Sequence, residues 1–340
     1  MNVRGLAALL LGMFVLVGCG ASGGEPAPPP GGGGDGGGGG ASNPFTGRLI
    51  AEGSSYILDM NLTANEKWEK RLNAGTAWES IALHLPANEV HVIGTSYGDA
   101  VTVEAYDLDT FGTKSAFLWT DSEALAYGGV DALAVSPDGE HLAAIFSGQS
   151  PFLEIINRNT HEVVYQGDPG LVGADMIWLD DDLLVFAAEI NDPSVDVAGG
   201  IVAVSLEEMA AAPDSFNLYG IVGFAPNEWA VAEPFDFAFS HDWTQLVYSW
   251  NGDLWVNELQ GEPSHQLTTG PSGLVGPVFS PDGQYIAFVE HRTYTGRDTF
   301  VIPNHREAPF FVDSGNLVDT QAYLLQESTL VETMLVWLDE

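Results

Sequence analysis

Three stretches of this chain repeat one another, and that repeat limits the possible fold more than any other feature. Asp131-Ala-Leu-Ala-Val-Ser-Pro-Asp-Gly139 runs on into Glu140 to Phe146. Phe237-Ala-Phe-Ser-His-Asp-Trp243 runs on into Thr244 to Trp250, and Pro277-Val-Phe-Ser-Pro-Asp-Gly283 into Gln284 to Val289. Each reads as a hairpin. Pro137 and Pro281 supply the fixed φ of a second turn position, and Gly139 and Gly283 can take the positive φ that re-enters a strand. The flanking runs are β-branched, aromatic and small apolar residues of strand length, without helical periodicity.

Weaker copies of the turn extend the series through Pro86, Pro137, Asp180, His241, Pro281 and Asp339, at intervals of 51, 43, 61, 40 and 58 residues. The shorter intervals match propeller blades of four strands, and the longer ones need insertions such as Glu207 to Asp214. A third strand recurs as Val101 to Leu108, Phe152 to Asn157, Ile201 to Leu206, Asp253 to Leu259 and Asp298 to Ile302. Two exits from outer strands are alike, Arg71-Leu-Asn-Ala-Gly75 and Gln266-Leu-Thr-Thr-Gly270. The chain ends on an inner-strand pattern, Val331 to Leu338, with no partners after it. Candidate partners stand at the other end, as Arg48 to Ala51, Ser55 to Met60 and Lys70 to Leu72. Pairing the two closes a ring and leaves no sheet edge exposed. The expected fold class is all-β, a β-propeller of six blades of four antiparallel strands. Seven blades of about 43 residues stay open on length alone.

Ser136-Pro-Asp-Gly139 and Ser280-Pro-Asp-Gly283, each followed by an apolar strand, together with Leu267-Thr-Thr-Gly270, resemble the TolB-type WD40-like propeller repeat. The resemblance covers most of residues 44–340 and speaks for the fold. In TolB itself an α/β domain precedes the propeller, which binds a peptidoglycan-associated lipoprotein. Here a different segment occupies that place, so the chain is similar to the repeat without being TolB, and the partner does not transfer. The same repeats precede the catalytic domain of prolyl-oligopeptidase-like enzymes. No such domain is expected after Glu340.

The segment in that place reads as a lipoprotein leader. Residues 1–18 carry Arg4 and then an apolar run from Leu6 to Val17, too short for the ~20 residues of a membrane span and suited to a secretory signal. The run stops at Leu16-Val17-Gly18-Cys19, which resembles a lipobox whose cysteine is diacylated and becomes the mature N-terminus. A lone cysteine can also be a small buried hydrophobe, but position, flanking residues and the following linker favour acylation at Cys19. Residues 19–43 form a Gly/Pro-rich disordered tether. Its 24 residues after Cys19 have a root-mean-square span of ~27 Å. Residues 44–340 are the propeller. Gly20, where an Asp would retain an enterobacteria-like lipoprotein in the inner membrane, implies the outer membrane, facing the periplasm, in a Gram-negative organism.

Charge narrows the partners. The chain carries a net charge of −37, and losing Arg4 with the signal makes it more negative still. Nucleic acid and anionic headgroups are repelled by such a surface. An envelope protein or a basic or cationic ligand fits, the membrane itself being reached through the lipid at Cys19. The expected unit is a monomeric propeller.

Catalytic signals are sparse. Gly94-Thr-Ser-Tyr-Gly98 matches the nucleophile-elbow pattern, but that pattern requires a helix after Ser96, and Ala100 to Leu108 reads as a strand. The glycines then punctuate a hairpin. No His-Glu-x-x-His or paired-cysteine spacing suggests zinc. His84 and His91 bracket a turn and can face each other across a hairpin, for which cross-strand polar pairing is the common role. Asp180-Asp-Asp182 and Asp107-Leu-Asp109 read as solvated turns rather than calcium loops. No catalytic residue, metal or cofactor is expected. Aligning the blades does reveal an acid near the start of five inner strands, Glu79, Asp131, Asp175, Asp236 and Glu332. Acids also begin strands because they stay hydrated at a rim, but in a propeller these five would converge on one mouth of the channel, where they could attract a cation, a basic peptide or an Arg-rich loop. The loop-like segment Phe216 to Trp229 is a second candidate contact, with core packing the commoner fate of its aromatics. The expected function is a non-catalytic binding module of the envelope. A hydrolase or metal-dependent enzyme with its site in the channel is the alternative.

Overall fold

The computed structural model describes residues 45–339 with interruptions, the longest at 120–128, 190–198, 225–235 and 313–322; Cys19 and the tether lie outside the described residues. No helix among the described residues is long and apolar enough to cross a membrane.

The described residues form six four-stranded antiparallel sheets, which decides between six blades and seven, and one short parallel pair, Thr268–Thr269 with Phe310–Phe311. Blade 1 is composite. Its innermost strand is the C-terminal Val331–Leu338, followed outward by Arg48–Gly53, Tyr56–Asn61 and Glu66–Lys70. Leu49 pairs with Trp337 in that closure, and the Trp337 indole N–H donates to the carbonyl of Thr46 at 2.9 Å. The inner strands of blades 2 to 6 are Ala77–His84, Gly129–Val135, Leu171–Trp178, Phe237–Phe239 and Gly273–Phe279. The expected third strands are all present, within two residues at each end. The insertion after Leu206 is a short helix, Leu206–Ala211, capped by the Ser205 hydroxyl, which accepts from the Glu208 N–H at 3.2 Å.

The repeated turn owes its sequence to one hydrogen-bond network. In blade 3 the Ser136 hydroxyl donates to the Asp138 carboxylate at 2.6 Å and accepts from the His141 N–H at 2.9 Å, while Asp138 also accepts from the Glu140 N–H at 2.8 Å. Ser240 with Asp242 and Ser280 with Asp282 repeat it in blades 5 and 6. The fourth turn position is left-handed each time, at φ 73° for Gly139, 57° for Trp243 and 69° for Gly283. Trp243 is therefore a degenerate copy holding the same backbone.

Packing explains why the repeat is apolar throughout. Among the described residues the buried side chains divide into six clusters, one at each junction between neighbouring blades, including that of blade 6 with blade 1. A second strand lies between two such junctions. Leu142, Ala144 and Phe146 face blade 2, whereas Ala143 and Ile145 face blade 4. Both faces are buried, so the run shows no polar alternation. Truncating Phe146 or Phe186 to Ala in such a junction costs about 3–5 kcal/mol.

The segment expected to be loop-like is the outer strand of blade 4, Tyr219–Phe224. Phe224 is buried edge-on to Tyr248, and Phe216 packs edge-on to Tyr165. These aromatics serve the junctions on either side of blade 4; Trp229 lies outside the described residues.

Candidate functional site

The inner strands share a backbone irregularity that sets where their acids stand. In blade 3 Val130 pairs with Phe146 and Ala132 with Ile145, so Asp131 is an extra residue, a β-bulge. Glu79 is the extra residue of blade 2, where Trp78 pairs with Gly94 and Ser80 with Ile93. Glu332 holds the same place in blade 1, between Val331 and Thr333. Asp175 directly precedes Met176, where regular pairing of blade 4 resumes, and Asp236 directly precedes Phe237, which opens the blade 5 pairing. Blade 6 carries Gly276-Pro277 instead of an acid. Bulges aim a side chain out of the ladder and leave peptide groups unpaired, which the next blade exploits.

Side chains are described for three of the five acids, Asp131, Asp175 and Asp236; those of Glu79 and Glu332 lie outside the described set. All three line a central cavity of about 540 Å³. One Asp175 oxygen accepts from the Met176 N–H at 2.8 Å, and the other from the N–H of Phe237 in blade 5 at 2.9 Å. Asp236 in turn accepts from the N–H of Gly276 in blade 6 at 2.9 Å. The carboxylates thus clasp consecutive blades around the mouth.

This clasp crowds negative charge. Burial first, and then the charge of Asp236, push the Asp175 carboxyl up to about 7, against two N–H donors that favour its charged form.

At the far end of the channel stands a second polar group. His84 ends the inner strand of blade 2 and lines the same cavity, and Glu89 and His91 lie on the returning strand Glu89–Ser96. Glu89 is held below the usual carboxylate range; burial opposes this, but the guanidinium of Arg158, whose nitrogen lies 2.8 Å away, and other positive neighbours prevail.

Other candidates resolve into turns. Ser96 ends a strand paired with Ala100–Asp107, so a strand and not a helix follows the Gly94 to Gly98 segment. Asp180 accepts from the N–H groups of Asp182 and Leu183, and Asp107 from those of Asp109 and Thr110. Asp181 and Asp182 also tie elements together, accepting from the N–H groups of Asp138 and Glu207.

No protein-family model matches the chain, and no curated protein sequence does. Among solved structures it is similar to TolB from Acinetobacter baumannii, with a TM-score of 0.54 at 14% identity, over 76% of this chain and 60% of that chain. It is also similar to a chain of a nidogen/laminin complex, with a TM-score of 0.52 at 13% identity, over 82% of this chain and 97% of that one. At such identities the likeness is one of fold: a six-bladed, TolB-like propeller that is not TolB itself.

Proposed function

We propose that the protein is a non-catalytic, lipid-anchored binding module of the cell envelope, which receives a cationic group at the carboxylate-lined mouth of its propeller. The anchor is Cys19, and the tether lets the domain sample the space near the membrane on its extracytoplasmic side, that of the outer membrane in a Gram-negative organism. The group received is the Lys or Arg side chain of an envelope protein or a basic ligand. One observation carries the reading. Asp131, Asp175 and Asp236 converge on one cavity, and burial, with the Asp236 carboxylate beside it, holds the Asp175 proton up to about pH 7. An incoming cation relieves that repulsion, so binding and proton release are coupled. The solved propeller in a nidogen/laminin complex supports protein recognition on such a scaffold.

The test uses a short Arg/Lys peptide and an acidic peptide of equal length, titrated calorimetrically into the full chain at pH 7 in buffers of different ionisation enthalpy. The expected result is binding of the basic peptide alone, with net proton release, weakened about tenfold in Asp131→Asn plus Asp236→Asn. Undiminished binding in a folded double variant, or binding without proton release, overturns the channel-mouth reading. Cys19→Ser is expected to move the protein from the membrane to the soluble fraction.

A further inference from the structure

We propose that His84, Glu89 and His91 form a binding site for a borderline divalent transition-metal ion such as Zn²⁺ or Co²⁺, opening toward the end of the channel opposite the acids. The inference is independent of the function proposed above.

The hairpin of blade 2 builds the group. Its strands are joined by the 3-10 turn Leu85–Ala87 and Asn88, which is left-handed at φ 54°. This register sets His84 directly opposite Glu89. Directly opposed residues share a face of the sheet, and residues two apart on one strand share it too. His84, Glu89 and His91 therefore point the same way, and all three are buried, at 6%, 8% and 1% exposure.

Their geometry suits a small ion. One ligand atom from each of the three lies within 4.8 Å of the others. A Glu89 oxygen is 3.2 Å from His91 Nε2 and 3.7 Å from His84 Nδ1. These distances bracket the roughly 3.4 Å edge of a tetrahedron whose metal–ligand bonds are about 2.1 Å. Two imidazoles and one carboxylate form a donor set that favours zinc and its neighbours over calcium or magnesium, and leaves coordination positions for water or a ligand. His84 lines the cavity, which gives an entry path.

Tautomers supply the observation that distinguishes this group from an ordinary polar cluster. His84 Nε2 lies 3.0 Å from the carbonyl of Pro137 in blade 3, which can only accept, so Nε2 carries the proton. Nδ1 is then a lone pair aimed at Glu89, buried and without a hydrogen-bond partner. A metal-bound histidine has this arrangement, its other nitrogen fixed by a backbone carbonyl. His91 Nδ1 is unpartnered whichever nitrogen carries its proton, so metal binding lowers the number of orphaned nitrogens from two to one.

Arg158 and Lys114 now hold the carboxylate, at 2.8 Å and 3.5 Å. Both side chains are partly exposed, and Lys114 already has the Ala87 carbonyl at 2.9 Å as another acceptor. An incoming divalent ion displaces Arg158 from Glu89.

Titration of the untagged full chain in detergent with Co²⁺, followed by visible d–d absorption, tests this. A saturable one-to-one band that Zn²⁺ abolishes is expected, weakened about tenfold or more in His84→Ala and Glu89→Gln. Arg158→Met removes the competitor and is expected to tighten binding about threefold, the worth of a partly exposed ion pair. A misfolded variant cannot bind more tightly, so this arm separates loss of a ligand from loss of fold. A folded chain without the band, a band that persists in His84→Ala, or looser binding in Arg158→Met overturns the site.

Discussion

Two carboxyl groups, Asp175 at one mouth of the channel and Glu89 beside His84 toward the other, are both withdrawn from water, yet they are driven in opposite directions. Asp175 has another carboxylate as its charged neighbour and is pushed up to about 7. Glu89 pays the same kind of desolvation and still lies below the ordinary range, because Arg158 and Lys114 face it. Burial alone therefore does not decide which end of this propeller is charged; the charged residues set against each carboxyl do, from its own blade and the next. One mouth sets carboxyl beside carboxyl, and the other sets Glu89 beside Arg158 and Lys114.

The largest expected effect is on Asp175. In the folded chain its carboxyl keeps a proton up to about pH 7, whereas in the unfolded chain it loses it near pH 4. Between those values the folded state binds more protons, so this contribution to stability is complete below about pH 4 and is lost as pH rises through about 7. Asp175→Asn should flatten that slope, a change on the order of 2–4 kcal/mol across the window, less about 1 kcal/mol for an acceptor lost to a peptide N–H. Denaturant unfolding of both proteins at several pH values checks it. A parallel pH dependence in the variant would remove the contrast between the mouths.

Glu89→Gln comes next and breaks the other half of the comparison. It leaves Arg158 beside two imidazoles without the Glu89 carboxylate, while Lys114 keeps Asp107 at 3.7 Å, a loss worth about 2 kcal/mol once partial exposure is allowed for. Chemical denaturation of the metal-free protein at neutral pH should register that loss. Unchanged stability would mean that the cations are satisfied elsewhere.

Much of this architecture is legible in the sequence, because blades repeat and their turns use a fixed chemistry. Pro137 with Gly139, Pro281 with Gly283 and the unpartnered pattern Val331 to Leu338 lead to a closed propeller with six blades expected, while seven stay open until the sheets are counted. The five recurring acids are legible as positions, but their drift between blades is not, since it arises from bulges such as the one at Asp131 that are properties of pairing. His84 and His91 can be seen to bracket a turn. The completion of the group is hidden: Glu89 enters through the register of that hairpin, and Arg158 and the Pro137 carbonyl enter from another blade. Contacts between blades have no period along the chain. The outer strand Tyr219–Phe224 is obscured for a related reason, since its glycines and aromatics look like loop punctuation until a junction buries Val222 and Phe224.

The smallest effect concerns the turn that blades 3 and 5 hold in common, and it shows how far one blade can depart from the repeat. At the His84 end of the channel Gly139 has no freedom to change, because a Cβ there would lie 2.5 Å from the His84 ring. Blade 5 has Trp243 in the same left-handed position, at φ 57°, with its ring 5.3 Å from that of Phe239. A left-handed backbone costs a non-glycine residue about 1–2 kcal/mol, while an aromatic pair and its burial return a similar amount. Trp243→Gly should therefore change stability by less than about 0.5 kcal/mol, measured by thermal and denaturant unfolding. A gain well above that would mean the tryptophan strains the turn without compensation. A loss of several times as much would show that its ring, and not the turn network of Ser240 and Asp242, holds blade 5 in register.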